Sequence, residues 1–400
     1  MASYYKRHRH RFIISELKKQ GQVSVATLAK MLMVAERTIR RDIHELAKAG
    51  RVRARYGGAT VINHPEQNLY LNNQIHLYRN MKIQNITPSV TPDDKSGKVF
   101  IIGSFNTDLV YRVNDFPAAG ETIQTLSSCC LPGGKGSNQA IACAMANART
   151  HFAVKLGDDE YAHKARLFLR GSPLAQLTCF EQPQCATGSA VVMVSETTGD
   201  NAIIINPGAN QTFTAGEIGA CYGAIAESDV FLTQMENNPD ATALALKYAC
   251  DQSVTTILNP APWREEVNDL IPWARVITPN LTEAAAIAGM PLTDERAIRL
   301  AAEIIHARGA RVVLITLGSA GCWLFDGERH RRFKAFPVVN VDTSGAGDAF
   351  NGALAARLAE KEPLEAAIIY ASAFAALAVE REGAANMPEH RAVMEKLTRM

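Results

Sequence analysis

An α/β domain with a largely parallel sheet between helices, preceded by a small basic head of helices with a β-wing, is the fold class this sequence predicts. Three observations carry it. Beyond Lys98, apolar stretches of strand length alternate with helical segments, the rhythm of parallel strands joined by helical crossovers. Residues 1–60 instead hold three amphipathic helical patterns, then an alternating stretch and a glycine pair. Between them, residues 61–97 are rich in Asn, Gln, Pro and Asp and run out through Thr87-Pro88-Ser89-Val90-Thr91-Pro92-Asp93-Asp94, a linker composition with short ordered pieces around 69–78. The expected domains are therefore 1–60, 61–97 and 98–397.

The head comes first. In 7–20 the residues Phe12, Ile13 and Leu17 form an apolar stripe that Gly21 stops. Ser24 can cap a second helix over 25–33, with Leu28, Ala29 and Leu32 inward, and a third runs over 36–49 with Ile39, Ile43 and Leu46 inward until Gly50. Residues 51–58 alternate charged with small or apolar side chains, as a wing strand does. Arg37, Thr38, Arg40, Arg41 and His44 lie off the stripe, free to meet phosphates and base edges in a major groove. Charge agrees: residues 1–58 carry 14 Lys/Arg against 4 Asp/Glu, a net +10 masked in the whole-chain value of +2 by a net −8 elsewhere. A charged helical bundle used for protein contacts is the competing reading. The motifs Val23-Ser24-Val25, Leu28-Ala29, Thr38-Ile39-Arg40-Arg41-Asp42-Ile43, Leu46 and Tyr56-Gly57-Gly58 resemble the winged helix-turn-helix of DeoR-family repressors, over about 6–60. The resemblance implies DNA binding by 36–49. Two residues depart from it: Met33 stands where Gly or Asn supplies a left-handed turn, and Ala35 where Ser caps the recognition helix, each at a cost of about 1 kcal/mol.

Composition bounds the rest. A chain of 400 residues, 47% apolar and 20% charged, can bury two or three ordinary cores. No apolar run reaches the ~18 residues of a membrane span, and the basic start lacks the apolar run of a secretory signal, so a cytoplasmic protein without membrane contact is expected. Eight cysteines, Cys129-Cys130 among them, show neither zinc-ligand spacing nor a dense disulfide pattern, which fits reduced thiols.

In the body the expected strands are 99–103, 188–194, 230–232, 255–258, 276–277 and 312–316, and the helices 136–148, 239–251, 282–288 and 293–308. Chemistry-bearing motifs fall at the strand ends, where such sheets bind ligands. The densest is Asp342-Thr343-Ser344-Gly345-Ala346-Gly347-Asp348, after an expected strand at 336–339 and opening a helix marked by Phe350, Leu354 and Leu358. Unpartnered amides at that helix start, with two glycines for close approach, make an anion site. Asp348 is badly placed to bind phosphate but well placed to take a proton from a hydroxyl attacking one. The plain alternative is a glycine turn with a helix-start carboxylate.

Five more motifs join it. Asn106-Thr107-Asp108 offers an amide and a carboxylate two apart for adjacent sugar hydroxyls, unless it is a turn. Gly133-Gly134-Lys135-Gly136-Ser137-Asn138 opens a helix with close-approach backbone, a cation and an amide, unless it is a plain loop. Glu236 is a further acceptor. Asn280 and Glu283, three apart, can face phosphates and Mg2+ through waters, or can form a helix cap. Thr316-Leu317-Gly318-Ser319-Ala320-Gly321 is a strand-end loop suited to nucleotide.

In this order, over about 98–397, these motifs closely resemble the ribokinase/PfkB family of carbohydrate kinases, with Asn106, Asp108, Gly134, Lys135, Asn138 and Glu236 nearest the ribokinase branch. The resemblance implies ATP-dependent phosphorylation of the exocyclic hydroxyl of a pentose, ribose first, with 2-deoxyribose or another furanose open. It implies Asp348 as base, Ser344, Gly345, Ala346 and Gly347 as anion hole, and Asn280, Thr316, Gly318, Gly321 and Ser372 along ATP. It further implies a K+ site at Asp342, Ser344, Ala378, Arg381 and Gly383, a homodimer, and a small β lid from 115–131 with strands near 188–194 and 202–206. The segment Gly383-Ala384-Ala385-Asn386-Met387-Pro388 is one residue shorter than the family pattern and lacks its serine before Pro388, which removes one cation ligand. A sugar-responsive regulator that uses the kinase body as a sensor is the rival function.

Overall fold

The computed structural model of the chain describes residues 6, 9–10, 12–17, 22–48, 52–55, 58–60, 96–198, 200–338 and 341–399. The head elements are β1 (Gln22–Ser24), α1 (Val25–Leu32), α2 (Glu36–Lys48), β2 (Arg53–Arg55) and β3 (Gly58–Thr60), after helical residues 12–17. The strands pair antiparallel in the order β1-β3-β2. Strand β1 is absent from the sequence reading, because three residues carry too little periodicity to register. Tyr56 and Gly57 of the wing motif, and residues 61–95 of the expected linker, lie outside the described residues.

The stripes read from the sequence make the head's core: Ile13, Leu17, Leu28, Ala29, Ile39, Ile43 and Leu46 are buried, with Val23, Val25, Val52 and Ala59 closing it and Phe12 and Leu32 at its margin. Ser24 Oγ accepts from Thr27 N at 3.0 Å and caps α1. Met33 ends α1 in the left-handed region, φ 52°, its side chain 93% exposed, so the turn is made without the glycine that would relax it. Thr38 N donates to Ala35 O, but the Ala35 methyl supplies no cap. The Asp42 carboxylate, fully buried on α2, accepts from Arg9 Nε at 2.7 Å and Nη2 at 3.2 Å, which anchors the helix to the segment before it. Arg37, Arg40, Arg41 and His44 are exposed and Thr38 half-exposed; Arg40 also pairs with Glu36 one turn back.

The body is a nine-stranded sheet between two layers of helices. Its strands are β4 (Lys98–Ile102), β7 (Arg149–Leu156), β8 (Gln176–Glu181), β11 (Val230–Thr233), β12 (Thr255–Leu258), β13 (Val276–Ile277), β14 (Val312–Thr316), β15 (Cys322–Phe325) and β16 (His330–Phe333). They run in the order β16-β15-β14-β13-β12-β11-β4-β7-β8. Pairs from β14 to β8 are parallel, and β15 and β16 are antiparallel at one edge. Four further strands, β5 (Asn106–Val113), β6 (Ser127–Gly133), β9 (Ser189–Ser195) and β10 (Asn201–Asn206), form a separate sheet ordered β10-β9-β5-β6. The helices are α3 (Lys135–Met145), α4 (Glu160–Gly171), α5 (Ala215–Ala220), α6 (Tyr222–Ala226), α7 (Pro239–Asp251), α8 (Val267–Leu270), α9 (Leu281–Ala288), α10 (Glu295–Ala307), α11 (Ala346–Ala359), α12 (Leu364–Ala378) and α13 (His390–Arg399).

Strand alternation divides the core. Val99, Ile101, Val230, Leu232 and Leu314 face α3, α4, α11, α12 and α13, whereas Phe100, Ile102, Phe231, Val313 and Ile315 face α5 to α10. Small residues let the first layer close tightly: a Cβ on Gly352 of α11 would stand 2.4 Å from Gln139 O of α3, so these backbones touch. One expectation fails. Residues 336–338 belong to no strand, because an apolar run becomes a strand only where a neighbouring strand pairs with it. Asn106 and Asp108 open β5, which pairs with β9 and β6, so the alternative of a turn is not realised.

Candidate active site

Helix α11 begins at Ala346, two residues before Asp348, behind Gly345 in the left-handed region at φ 74°. A Cβ there would come within 2.6 Å of Ala384 O. Gly345 is thus fixed by both its dihedral and the neighbouring turn. The loop is stapled by Asp342, whose Oδ1 accepts from Ser344 N at 2.8 Å and Oδ2 from Gly383 N at 3.0 Å. Val379 O receives Val341 N and Asp342 N at 2.9 and 3.2 Å. The first amides of α11 have no acceptor one turn back within the helix, and with the helix dipole they form a positive pole.

Asp348 stands at that pole, 6% exposed. Its Oδ2 accepts from Asn138 Nδ2 and its Oδ1 from Gln139 Nε2, both at 3.0 Å. The two amides are consecutive on α3, so the helix that opens with Gly133-Gly134-Lys135 grips the carboxylate of the helix that opens with Gly345. Asp348 lines a cavity of about 130 Å3 with Lys135, Asn280, Glu283, Thr316, Thr343 and Gly345 to Gly347, and with Asn259, Thr278 and Asn351 at its floor. Burial works against the charge on Lys135, but Asp348, Glu236 and Glu283 together outweigh it and raise its pKa. An ammonium kept charged near carboxylates suits a group that meets transferring phosphoryl oxygens.

The residues expected to hold sugar are built around the same two helices. Asn106 is 4% exposed, and its Oδ1 accepts from Asn210 Nδ2 at 2.8 Å; of the residues expected to hold sugar, Lys135 and Asp348 line the cavity. Gly133 and Gly134 are required by contact: a Cβ on the first would lie 2.1 Å from Asp108 Oδ2, and on the second 2.7 Å from Asn106 N. Burial pushes the Asp108 carboxyl up to about 7, with Glu236 and Asp348 adding to the shift. Glu236 Oε2 accepts from Lys135 N at 2.9 Å and from the Ser104 hydroxyl, so it caps α3 from another strand end. Gly136 lies against Ser104 N, which a Cβ would approach to 2.3 Å. The Ser137 hydroxyl is spent on Gly133 O at 2.6 Å, and Thr107 faces away from Asn106 and Asp108 by strand alternation.

On the nucleotide side, Asn280 and Glu283 form a reciprocal capping box: Glu283 N donates to Asn280 Oδ1 at 2.9 Å and Asn280 N to Glu283 Oε2 at 2.8 Å. The helix-cap alternative is therefore real, and both residues still line the cavity. Burial raises the Glu283 pKa, and one of its oxygens remains outside the cap. Among the described residues no group of three or more His, Cys, Asp and Glu side chains gathers as a metal cage. The donor set instead fits a magnesium ion carried by phosphates and met by one carboxylate. Thr316 bridges to Asn280, while Leu317, Gly318, Ser319, Ala320 and Gly321 turn back on themselves, Leu317 N donating to Gly321 O at 2.7 Å. Those five residues and Ser372 do not line the cavity, and the Ser372 hydroxyl bonds Ile368 O at 2.8 Å. Of the expected K+ residues, Asp342, Ser344 and Gly383 are joined by hydrogen bonds; Ala378 O accepts from Arg381 N, and the Arg381 guanidinium turns to Met387 O at 3.1 Å. Both Asp342 oxygens and Ala378 O are thus occupied by backbone N–H donors, and the donor set expected for K+ is not gathered around an open point.

Gln139, Asn210, Ser104 and Asn259 were missed by sequence reasoning. Gln139 directly follows the glycine-lysine motif, Asn259 directly follows β12 and Ser104 stands just past β4 in the stretch that leads to Asn106, which is the signal that could have found them; Asn210 acts through distant partners and left none.

Residues 96–391 match the pfkB family of carbohydrate kinases, and residues 9–65 match the DeoR-like helix-turn-helix domain. The Bacillus subtilis ribokinase is 34% identical over 301 residues, covering 75% of this chain and 99% of that protein. A bifunctional ribokinase/ribose-5-phosphate isomerase A of Fructilactobacillus sanfranciscensis is 34% identical over 304 residues, and the chain spans 55% of its length. Among solved structures, the Arabidopsis thaliana ribokinase complexed with ribose and ATP superimposes with a TM-score of 0.69 at 30% identity, over 76% of this chain and 98% of that one.

Proposed function

Because the chain belongs to the pfkB family of carbohydrate kinases and carries a DeoR-like helix-turn-helix domain, we propose that it phosphorylates D-ribose at O5 with ATP and couples this activity to DNA through its head. The observation that carries the kinase reading is Asp348: a buried carboxylate held by two amides at the positive pole of α11, beside Lys135. Ribose is placed by Asn106 and Asp108 against Gly133 and Gly134, with Lys135, Gly136, Asn138 and Glu236 around it; Thr107 and Ser137 hold the backbone. Asp348 takes the proton of the exocyclic hydroxyl as that oxygen attacks the γ-phosphorus. The amides of Gly345, Gly347 and Asp348 and the Lys135 ammonium meet charge on the transferring group, whereas Ala346 N is spent on Thr343 O and Ser344 N on Asp342. Glu283 is the carboxylate offered to Mg2+, which when bound neutralises the phosphates. Asn280, Thr316 and the 317–321 turn flank ATP, with Ser372 beyond, and the hydrogen bonds of Asp342 to Ser344 and Gly383 steady the loop.

Domains of 1–60, 61–97 and 98–397 belong to this reading, as do a homodimer and a cytoplasmic location. The test is Asp348→Asn in a coupled ADP-release assay on ribose. Turnover should fall by about 10²–10⁴-fold with sugar affinity little changed; retained turnover removes the base assignment. The head is read as a DNA reader because its exposed cations gather on α2. Its affinity for an operator should fall steeply with salt and respond to ribose plus ATP, and a salt-insensitive, ligand-blind gel shift would refute the coupling.

A further inference from the structure

Gln139 is fully buried on α3, its backbone O lying where a Cβ on Gly352 of α11 would come within 2.4 Å. An amide in such surroundings is costly unless every polar atom is bonded. All of them are. Nε2 uses both hydrogens, on Asp348 Oδ1 and Asn259 Oδ1 at 3.0 Å each, and Oε1 accepts from Gln234 Nε2 at 2.7 Å. The line continues from Asn259 Nδ2 to Thr278 O at 3.1 Å, from Thr278 Oγ1 to Asn351 Oδ1 at 2.6 Å, and from Asn351 Nδ2 to Gly347 O at 2.8 Å. It therefore leaves the carboxylate of Asp348 and returns to the residue before it.

The direction of this ring is dictated by charge. An ionised carboxylate only accepts, so Gln139 must turn its nitrogen to Asp348 and its oxygen to Gln234. Flipping the amide would set its oxygen against two acceptors and its nitrogen against a donor. An apolar side chain would serve the helix crossing equally well; the polar one is explained by what it holds. We propose that Gln139 is a positioning residue that fixes the carboxylate plane of Asp348, so that the lone pairs not bound to amides face the acceptor hydroxyl. The inference rests on Asp348 being the base.

The experiment uses the full-length protein with Gln139→Met, which keeps the shape and removes the hydrogen bonds, assayed for ADP release on ribose. Turnover per folded molecule should fall by about 100-fold while KM for ribose and for ATP stays within about threefold, as a misaimed reacting group requires. Gln139→Glu gives an independent reading if the Met variant folds poorly. Two carboxyls at this separation share one proton, so the introduced carboxyl donates to Asp348 at low pH and repels it at high pH. With Lys135, Glu236, Glu283 and Asp108 facing the site unchanged, kcat of this variant should drop from pH 6 to pH 8 where the wild type does not. Wild-type kcat in Gln139→Met, a loss that tracks only the unfolded fraction, or a wild-type pH profile in Gln139→Glu overturns the proposal. If Asp348→Asn itself retains turnover, the base assignment has failed; if it is inactive while Gln139→Met is not, only the positioning role has.

Discussion

If Asp108 grips the sugar as proposed, sugar capture should be sensitive to pH near neutrality. Its carboxyl lies against Gly133, where burial and then the charges of Glu236 and Asp348 carry its pKa to about 7. Sugar hydroxyls donate hydrogen bonds, so the ionised form is the one that grips them, and binding is full above the folded pKa and lost as pH falls through it. With that pKa, about a tenth of the protein is ionised at pH 6 and about nine tenths at pH 8, so kcat/KM for ribose should rise about tenfold between them. At saturating ribose the bound hydroxyls favour the charged form, so kcat should change far less. The assay is ADP release at fixed saturating ATP across that range, for the wild type and for Asp108→Asn. The variant should have a much higher ribose KM and a flat profile. A flat wild-type profile would refute the reasoning, and so would a tenfold rise that survives in Asp108→Asn, since that would move the effect to another buried carboxyl such as Glu283, whose pKa is also raised by burial.

Three further outcomes follow from geometry. Gly188→Ala would place a Cβ 2.2 Å from Asn210 Nδ2 and 2.3 Å from Asn106 Oδ1, so ribose KM should rise at least tenfold and stability fall by about 1–3 kcal/mol, read by kinetics and thermal unfolding. Met33→Gly relieves the left-handed turn and should stabilise the head by about 1 kcal/mol, as should Ala35→Ser by capping α2; amide exchange at Ile39 and Ile43 in the full chain should slow about fivefold for each.

What was legible in the sequence had strong local form. Alternation of apolar residues gave β4 and β11 to β14 almost to the residue, and the glycine motifs marked where α3 and α11 begin. Phe336-Pro337-Val338 misled because an apolar run reads as strand whether or not a partner strand waits for it. Met33 was readable in full, since a position that usually holds glycine announces its dihedral. The neighbours of Asp348 were not equally readable: Asn138 is flagged by its motif, but Gln139 acquires meaning only through Gln234, Asn259 and a helix more than 200 residues on. The capping box at Asn280 was left open by the sequence, because spacing three apart serves a cap and a ligand alike.

The pairing of α3 with α11 also sets an order of events during synthesis. The head's core is complete once Ala59 has emerged, whereas Asp348 can reach Asn138 and Gln139 only when the chain is nearly finished. At ~5–20 residues per second, roughly 15–60 seconds separate the two. On each ribosome the helix-turn-helix fold is thus ready well before the kinase domain can close the junction of α3 with α11.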